Sequence, residues 1–94
     1  MTREPVHLVA TIELDGIDIG CGVSRDASGS GFLLFTHVDL PEGAKVTLSL
    51  FVPREEAPRR VEATILRTER IPPSEGLVWD YRVGVAVRNP PPDL

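Results

Sequence analysis

Apolar residues fall at alternate positions along most of the chain, which is the pattern of β-strands that bury one face. A first alternation covers residues 6–14, and a second starts at Ile17, directly after the pair Asp15-Gly16. Because glycine accepts positive φ, this pair predicts a tight hairpin turn between two strands. In the second run we expect one face to be buried, formed by Ile17, Ile19, Cys21 and Val23.

Four more strands are predicted between segments rich in glycine, proline and charge. They cover residues 31–36, 46–52, 61–65 and 81–87. The segment 53–60 contains two prolines together with Glu55-Glu56 and Arg59-Arg60, which indicates a loop. No segment has the spacing of an amphipathic helix, although residues 77–81 are compatible with a short turn.

Short strands separated by turn signals are typical of an antiparallel barrel or sandwich. We expect an all-β fold, a six-stranded antiparallel β-barrel with little or no helix, because closure removes exposed strand edges and gives the strands one core. A length of 94 residues fits a single domain over residues 1–94. Three consecutive prolines cannot continue a strand ladder, so residues 89–94 are predicted to form an extended tail.

The charge balance limits the partners of the chain. With 10 Lys and Arg against 14 Asp and Glu, the formal net charge is −4. This balance argues against the broad basic surface with which proteins bind nucleic acid polymers. A small anionic ligand would need a local cluster of arginines.

The residue types that carry catalysis or hold metals form no motif. One cysteine and two histidines give no set of metal-ligand spacings, and no serine or histidine is placed in a nucleophile motif. We therefore expect no enzyme activity, metal or cofactor. The N-terminus lacks the apolar region of a signal peptide and no apolar run could span a bilayer, so we expect a cytoplasmic protein without membrane insertion.

The segment Asp26-Ala27-Ser28-Gly29-Ser30-Gly31 places a carboxylate, hydroxyls and two glycines between two strands. Such side chains can hydrogen-bond the polar edge of a ligand, and the glycines permit close backbone approach. The same composition also suits a turn that satisfies only its own backbone. Trp79 beside Tyr81 could form a stacking platform for a base or a hydrophobic patch for a partner. The alternative is that one of the two plugs an end of the barrel.

Asp26, Ser28 and Gly31 match the D/N-x-S-x-x-G signature of PilZ domains, and the chain resembles that family from about residue 3 to residue 88. The signature follows the second predicted strand, and the later strands occur in the family's order. The resemblance implies a six-stranded β-barrel. Many PilZ domains are receptors for the bacterial second messenger cyclic di-GMP, and the signature loop hydrogen-bonds a guanine edge. An unrelated small barrel with another ligand is the alternative to this resemblance.

The other half of the PilZ ligand site is an R-x-x-x-R segment before the first strand, whose arginines clamp phosphates and stack on guanine. Here Arg3 takes the first position and His7 the second. A neutral histidine cannot make the bidentate phosphate contact of an arginine. Loss of one charge-assisted hydrogen bond costs on the order of 1.5–3 kcal/mol, so we expect binding to be weakened roughly ten- to a hundredfold or lost. Arg25 could supply a substitute charge or form a surface ion pair.

The resemblance implies a ligand site formed by Arg3, His7, Asp26, Ser28 and Gly31. The first hypothesis is a regulatory domain that binds cyclic di-GMP there and passes the signal to a protein partner by a change of contacts. The second is a PilZ-like interaction module that does not bind the nucleotide and acts, for example, in type IV pilus assembly or motility. Replacement of the second arginine by His7 favours the second hypothesis.

Overall fold

A computed structural model of the chain describes residues 7–25 and 31–88, with the backbone alone for His7. Its strands are β1 (His7–Leu14), β2 (Ile17–Arg25), β3 (Gly31–Thr36), β4 (Lys45–Phe51), β5 (Arg59–Arg70) and β6 (Tyr81–Val87). All neighbours pair antiparallel, and they close in the order β1-β2-β3-β6-β5-β4 because β1 also pairs with β4. The predicted six-stranded barrel is confirmed. The predicted proline-rich tail lies outside the described residues.

The barrel is filled by the inward faces of its strands. Ile12 lies opposite Leu48, and Leu34 lies opposite Val83; none of these four side chains is exposed. Branched aliphatic side chains on alternating positions suit the interior of a small barrel because they fill it without polar atoms. The predicted alternation is confirmed in β1, β4 and β6. Within the described ranges, no helix has the length and apolar character needed to cross a membrane.

Strand β2 does not bury the face that its apolar pattern predicts. Ile19 is left out of the pairing with β1, where the register shifts. A bulge of this kind moves the following side chains to the opposite face of the strand. Cys21, which follows the bulge, is therefore exposed, and the interior is lined instead by Gly22 and Ser24. Ile17 precedes the bulge and is also exposed, next to the hairpin turn. The expectation of a buried Cys21 was wrong.

Strand β5 is longer than predicted, and the short helical turn lies elsewhere. Arg59 and Arg60 belong to β5 rather than to a loop because β4 pairs with both of them. Arg59 also donates hydrogen bonds to Glu55 across the turn, the shortest at 2.8 Å. The helical turn is a 3-10 turn at Pro73–Glu75, which starts on the proline because fixed φ suits the first helical position. Residues 77–81 form no helical turn.

Two buried hydroxyls on the neighbouring strands β2 and β3 differ in their hydrogen bonding. Thr36 Oγ1 donates to the carbonyl of Cys21 at 2.8 Å, whereas Ser24 Oγ is buried with no partner among the described residues. We expect Ser24→Ala to leave the free energy of unfolding unchanged or raise it by up to about 1 kcal/mol, because it removes an unsatisfied hydroxyl. Thr36→Val should lower it by about 1–3 kcal/mol. Denaturant unfolding measures both, and equal losses would contradict the prediction.

Candidate ligand-binding face

The outward side chains of four neighbouring strands form a continuous face of the barrel. Val23 of β2 lies opposite Phe35 of β3, which lies opposite Arg82 of β6. Arg82 in turn lies opposite Glu69 of β5. Phe35 is only 8% exposed although it is outside the core cluster of the barrel. Another segment of the chain must therefore cover Phe35 on this outer face.

The cover comes from the β5–β6 loop, residues 71–80. The ends of the loop are joined by a hydrogen bond from the Ile71 N–H to the Asp80 carbonyl at 2.8 Å. His37 Nδ1 lies 2.8 Å from Asp80 Oδ2, and the His37 ring lies 4.8 Å from the Trp79 ring. These contacts hold Trp79 beside the outer face.

A pocket of about 440 Å³ lies between the loop and the strands. Its polar groups include Arg82 and Glu75, joined by a hydrogen bond from Arg82 Nη2 to Glu75 Oε1 at 2.7 Å. The Arg82 guanidinium lies 5.9 Å from the centre of the Phe35 ring, within cation–π range. The full lining is Val23, Arg25, Phe35, Glu75, Leu77, Trp79 and Arg82.

A second, smaller recess of about 160 Å³ lies on the other side of Arg82. It opens at Gly84, where the absence of a side chain leaves space between Leu33 and Arg67. Arg67 Nη2 contacts Glu69 Oε1 at 2.6 Å. Together with Arg25, this face carries three arginines, and Glu69 and Glu75 form ion pairs with Arg67 and Arg82.

Two of the five sequence-predicted site residues, His7 and Gly31, lie among the described residues, at the starts of β1 and β3. Gly31 is the first residue of β3, and a Cβ built on it would lie 2.6 Å from the carbonyl oxygen of Val85. This contact gives the signature glycine a packing role. The backbone of His7 pairs with that of Arg25. Arg3, Asp26 and Ser28 lie outside the described residues.

A model of the family described as the PilZ domain matches residues 2–94. The chain belongs to the PilZ domain family. Comparisons with curated proteins and with solved structures found no match. As a PilZ domain, the chain is a module of a family of regulatory binding domains, and the family binds cyclic di-GMP. Among the described residues of this PilZ domain, no group of three or more His, Cys, Asp and Glu side chains could hold a metal ion.

Only some residues of this PilZ domain's outer face could be predicted from the sequence. Tyr81 packs against the core cluster, whereas Trp79 lines the outer pocket. Glu75 and Arg82 were not identified from the sequence. The alternation of apolar residues in β6 could have predicted that Arg82 lies on the outer face. The contact of Glu75 with Arg82 depends on the path of the β5–β6 loop.

Proposed function

We propose that this PilZ domain is a receptor for cyclic di-GMP that binds the ligand where β1 begins and β2 ends. The observation that carries the proposal is the register of these strands, in which His7 lies opposite Arg25. Arg25 directly precedes Asp26 in the chain. The register therefore brings the second position of the arginine segment close to the start of the signature loop, which supports one ligand site built from both halves.

Two arginines of the neighbouring face support an anionic ligand. Arg25 and Arg82 line the same pocket, and guanidinium groups are suited to phosphate because they stay charged and donate in a planar fork. In this proposal they offset part of the loss that His7 causes. We infer that the ligand contacts Arg3 and His7 through its phosphates and Asp26 and Ser28 through a guanine edge.

We infer that the domain transmits ligand binding by contact with a protein partner. A receptor without a catalytic group acts by a change in the surface that it presents. Leu77 is 46% exposed and Val78 is 78% exposed, both in the β5–β6 loop beside the pocket. These apolar side chains are suited to meet a protein partner whose affinity changes when the ligand is bound.

Isothermal titration with cyclic di-GMP tests the proposal directly. We expect saturable binding to the full chain, and we expect Asp26→Ala to weaken it by roughly tenfold or more because a charged hydrogen-bond acceptor is lost. Arg60→Ala is the control, since Arg60 pairs with Glu13 at 3.0 Å away from the candidate face. Absence of heat at high micromolar ligand would overturn the proposal.

The alternative is a PilZ interaction module that does not bind the nucleotide, and His7 is the residue that favours it. His7→Arg separates the two functions. In a receptor with a weakened site, the substitution should raise the affinity for cyclic di-GMP by roughly tenfold or more, because it restores a charge-assisted contact. If neither the natural chain nor this variant binds, the interaction module is the better account.

A further inference from the structure

We infer that this PilZ domain forms a weak homodimer through the outer face of β1 and β4. Val9 and Phe51 form the centre of the contact, and Arg60 of each copy lies beside Glu56 of the other. In the closed order β1-β2-β3-β6-β5-β4, strands β1 and β4 lie opposite β6 and β3. The dimer surface is therefore on the far side of the barrel from the candidate ligand-binding face, and the inference does not depend on cyclic di-GMP.

Two large apolar side chains lie side by side on the outer face of β1 and β4. Val9 pairs with Phe51, and the two residues are 54% and 45% exposed. The pair two positions away along the strands is Thr11 and Ser49, whose short side chains leave room for another sheet to approach. Exposed apolar patches mark interaction sites, and aromatic side chains are enriched in protein interfaces. The Val9–Phe51 pair is therefore suited to the centre of a protein contact.

Charges of opposite sign lie on the two sides of the Val9–Phe51 pair along the strand direction. Arg60 of β5 lies opposite Ser49, which precedes Phe51 by two positions, and its side chain is 64% exposed. Glu56 is exposed in the β4–β5 loop, residues 52–58, which follows Phe51 on the other side of the pair. The apolar pair therefore separates a basic group from an acidic group.

This arrangement of charges is self-complementary. A two-fold axis that runs across the strands, along the Val9–Phe51 pair, brings two copies face to face and reverses the strand direction of the second. Each apolar side chain then meets its own counterpart, and Arg60 is carried to the side of Glu56. Because an isologous contact repeats every pair, the dimer gains two such ion pairs. A partner with one sign of charge would instead meet a like charge on one side, so the charges favour a second copy.

The area of this surface limits the affinity of the dimer. Stable protein interfaces bury about 800 Å² on each partner. Two strands about 4.8 Å apart present less than that over the lengths of β1 and β4. Exposed ion pairs mainly fix the register of a contact and add little affinity. We therefore expect a transient dimer with a dissociation constant on the order of 10–1,000 µM.

The first test measures the mass of the full chain in solution by sedimentation equilibrium up to millimolar concentration. A reductant prevents disulfide dimers through the exposed Cys21. We expect the average mass to rise with concentration. Phe51→Glu should raise the dimer Kd by roughly tenfold or more, because two carboxylates would face each other across the axis. Leu66→Glu is the matched control, since Leu66 is 60% exposed on β5 but lies outside the proposed contact.

The second test exchanges the charges that flank the apolar pair. Arg60→Glu and Glu56→Arg should each raise the dimer Kd by about two- to tenfold, because each places like charges together at two positions of the dimer. The double variant reverses both charges and should return the Kd to that of the natural chain. Arg60 also pairs with Glu13 within its own chain, at 3.0 Å, so circular dichroism is used to verify that each variant is folded.

Each outcome supports or overturns the proposed dimer. A dimer that Phe51→Glu and the single charge variants weaken, and that the double charge variant restores, would support it. A natural chain that remains monomeric at millimolar concentration would overturn it. Equal weakening by Leu66→Glu and Phe51→Glu would place the contact on another surface. A double charge variant that dimerises no better than the single variants would contradict the pairing of Arg60 with Glu56.

Discussion

Replacement of Leu48 by alanine is expected to lower the free energy of unfolding by about 2–5 kcal/mol, the range for a buried leucine that leaves a cavity. Leu48 has no exposed surface and lies opposite Ile12 of β1 and Val61 of β5. Because β4 is paired on both sides, the barrel wall cannot close easily over the missing atoms. Domains are stable by only about 5–15 kcal/mol, so this single change removes a large share of the total.

Leu66→Ala is the matched control for Leu48→Ala. Leu66 lies on β5 and is 60% exposed, so the same truncation should change the free energy of unfolding by less than about 0.5 kcal/mol. Denaturant unfolding followed by circular dichroism measures both variants. Similar losses for the two leucines would contradict the assignment of inward and outward faces.

Gly31→Ala is expected to lower the free energy of unfolding by about 1–3 kcal/mol, the usual cost of forcing an atom into a packed site. The added Cβ would lie 2.6 Å from the carbonyl oxygen of Val85. That oxygen belongs to the backbone of β6, so it cannot rotate away as the end of a side chain can. Relief would require β3 and β6 to separate where Gly31 pairs with Ala86.

The control for Gly31→Ala is Gly84→Ala, on the neighbouring strand. A Cβ at Gly84 would approach nothing closer than the Arg67 carbonyl at 4.0 Å, so this variant should be neutral or more stable by up to about 1 kcal/mol. Thermal or denaturant unfolding distinguishes the two. If Gly31→Ala were as stable as the natural chain, the packing role of the signature glycine would be wrong.

The two glycines also show why a signature residue needs both a stability and a binding measurement. Gly31 belongs to the D/N-x-S-x-x-G signature, yet its contact with Val85 is sufficient reason for a glycine at that position. Titration with cyclic di-GMP under conditions in which the Gly31→Ala variant is folded would separate the two roles. A packing role leaves the affinity of the folded molecules unchanged.

Much of the fold could be predicted because alternation is a local property of a strand. Ile12, Leu48 and Val83 each lie on runs in which apolar and other residues alternate, and all three are fully buried. The same reasoning failed for Cys21 because the bulge at Ile19 depends on how β2 pairs with β1. A shift in the pairing register of two strands does not alter the alternation of apolar residues in either sequence, so that alternation cannot predict it.

By itself, the sequence determined the succession of strands, the PilZ family and the residues of its signature, because these depend on local periodicity and on short motifs. Tertiary structure decided which outward residues meet. Glu75 and Arg82 are seven positions apart, yet their side chains lie 2.7 Å apart because the β5–β6 loop turns back over the outer face. His37 reaches Asp80 across 43 positions because the two residues flank the pair that Thr36 of β3 forms with Tyr81 of β6. Such contacts depend on barrel closure and on the path of a loop, which no local pattern records.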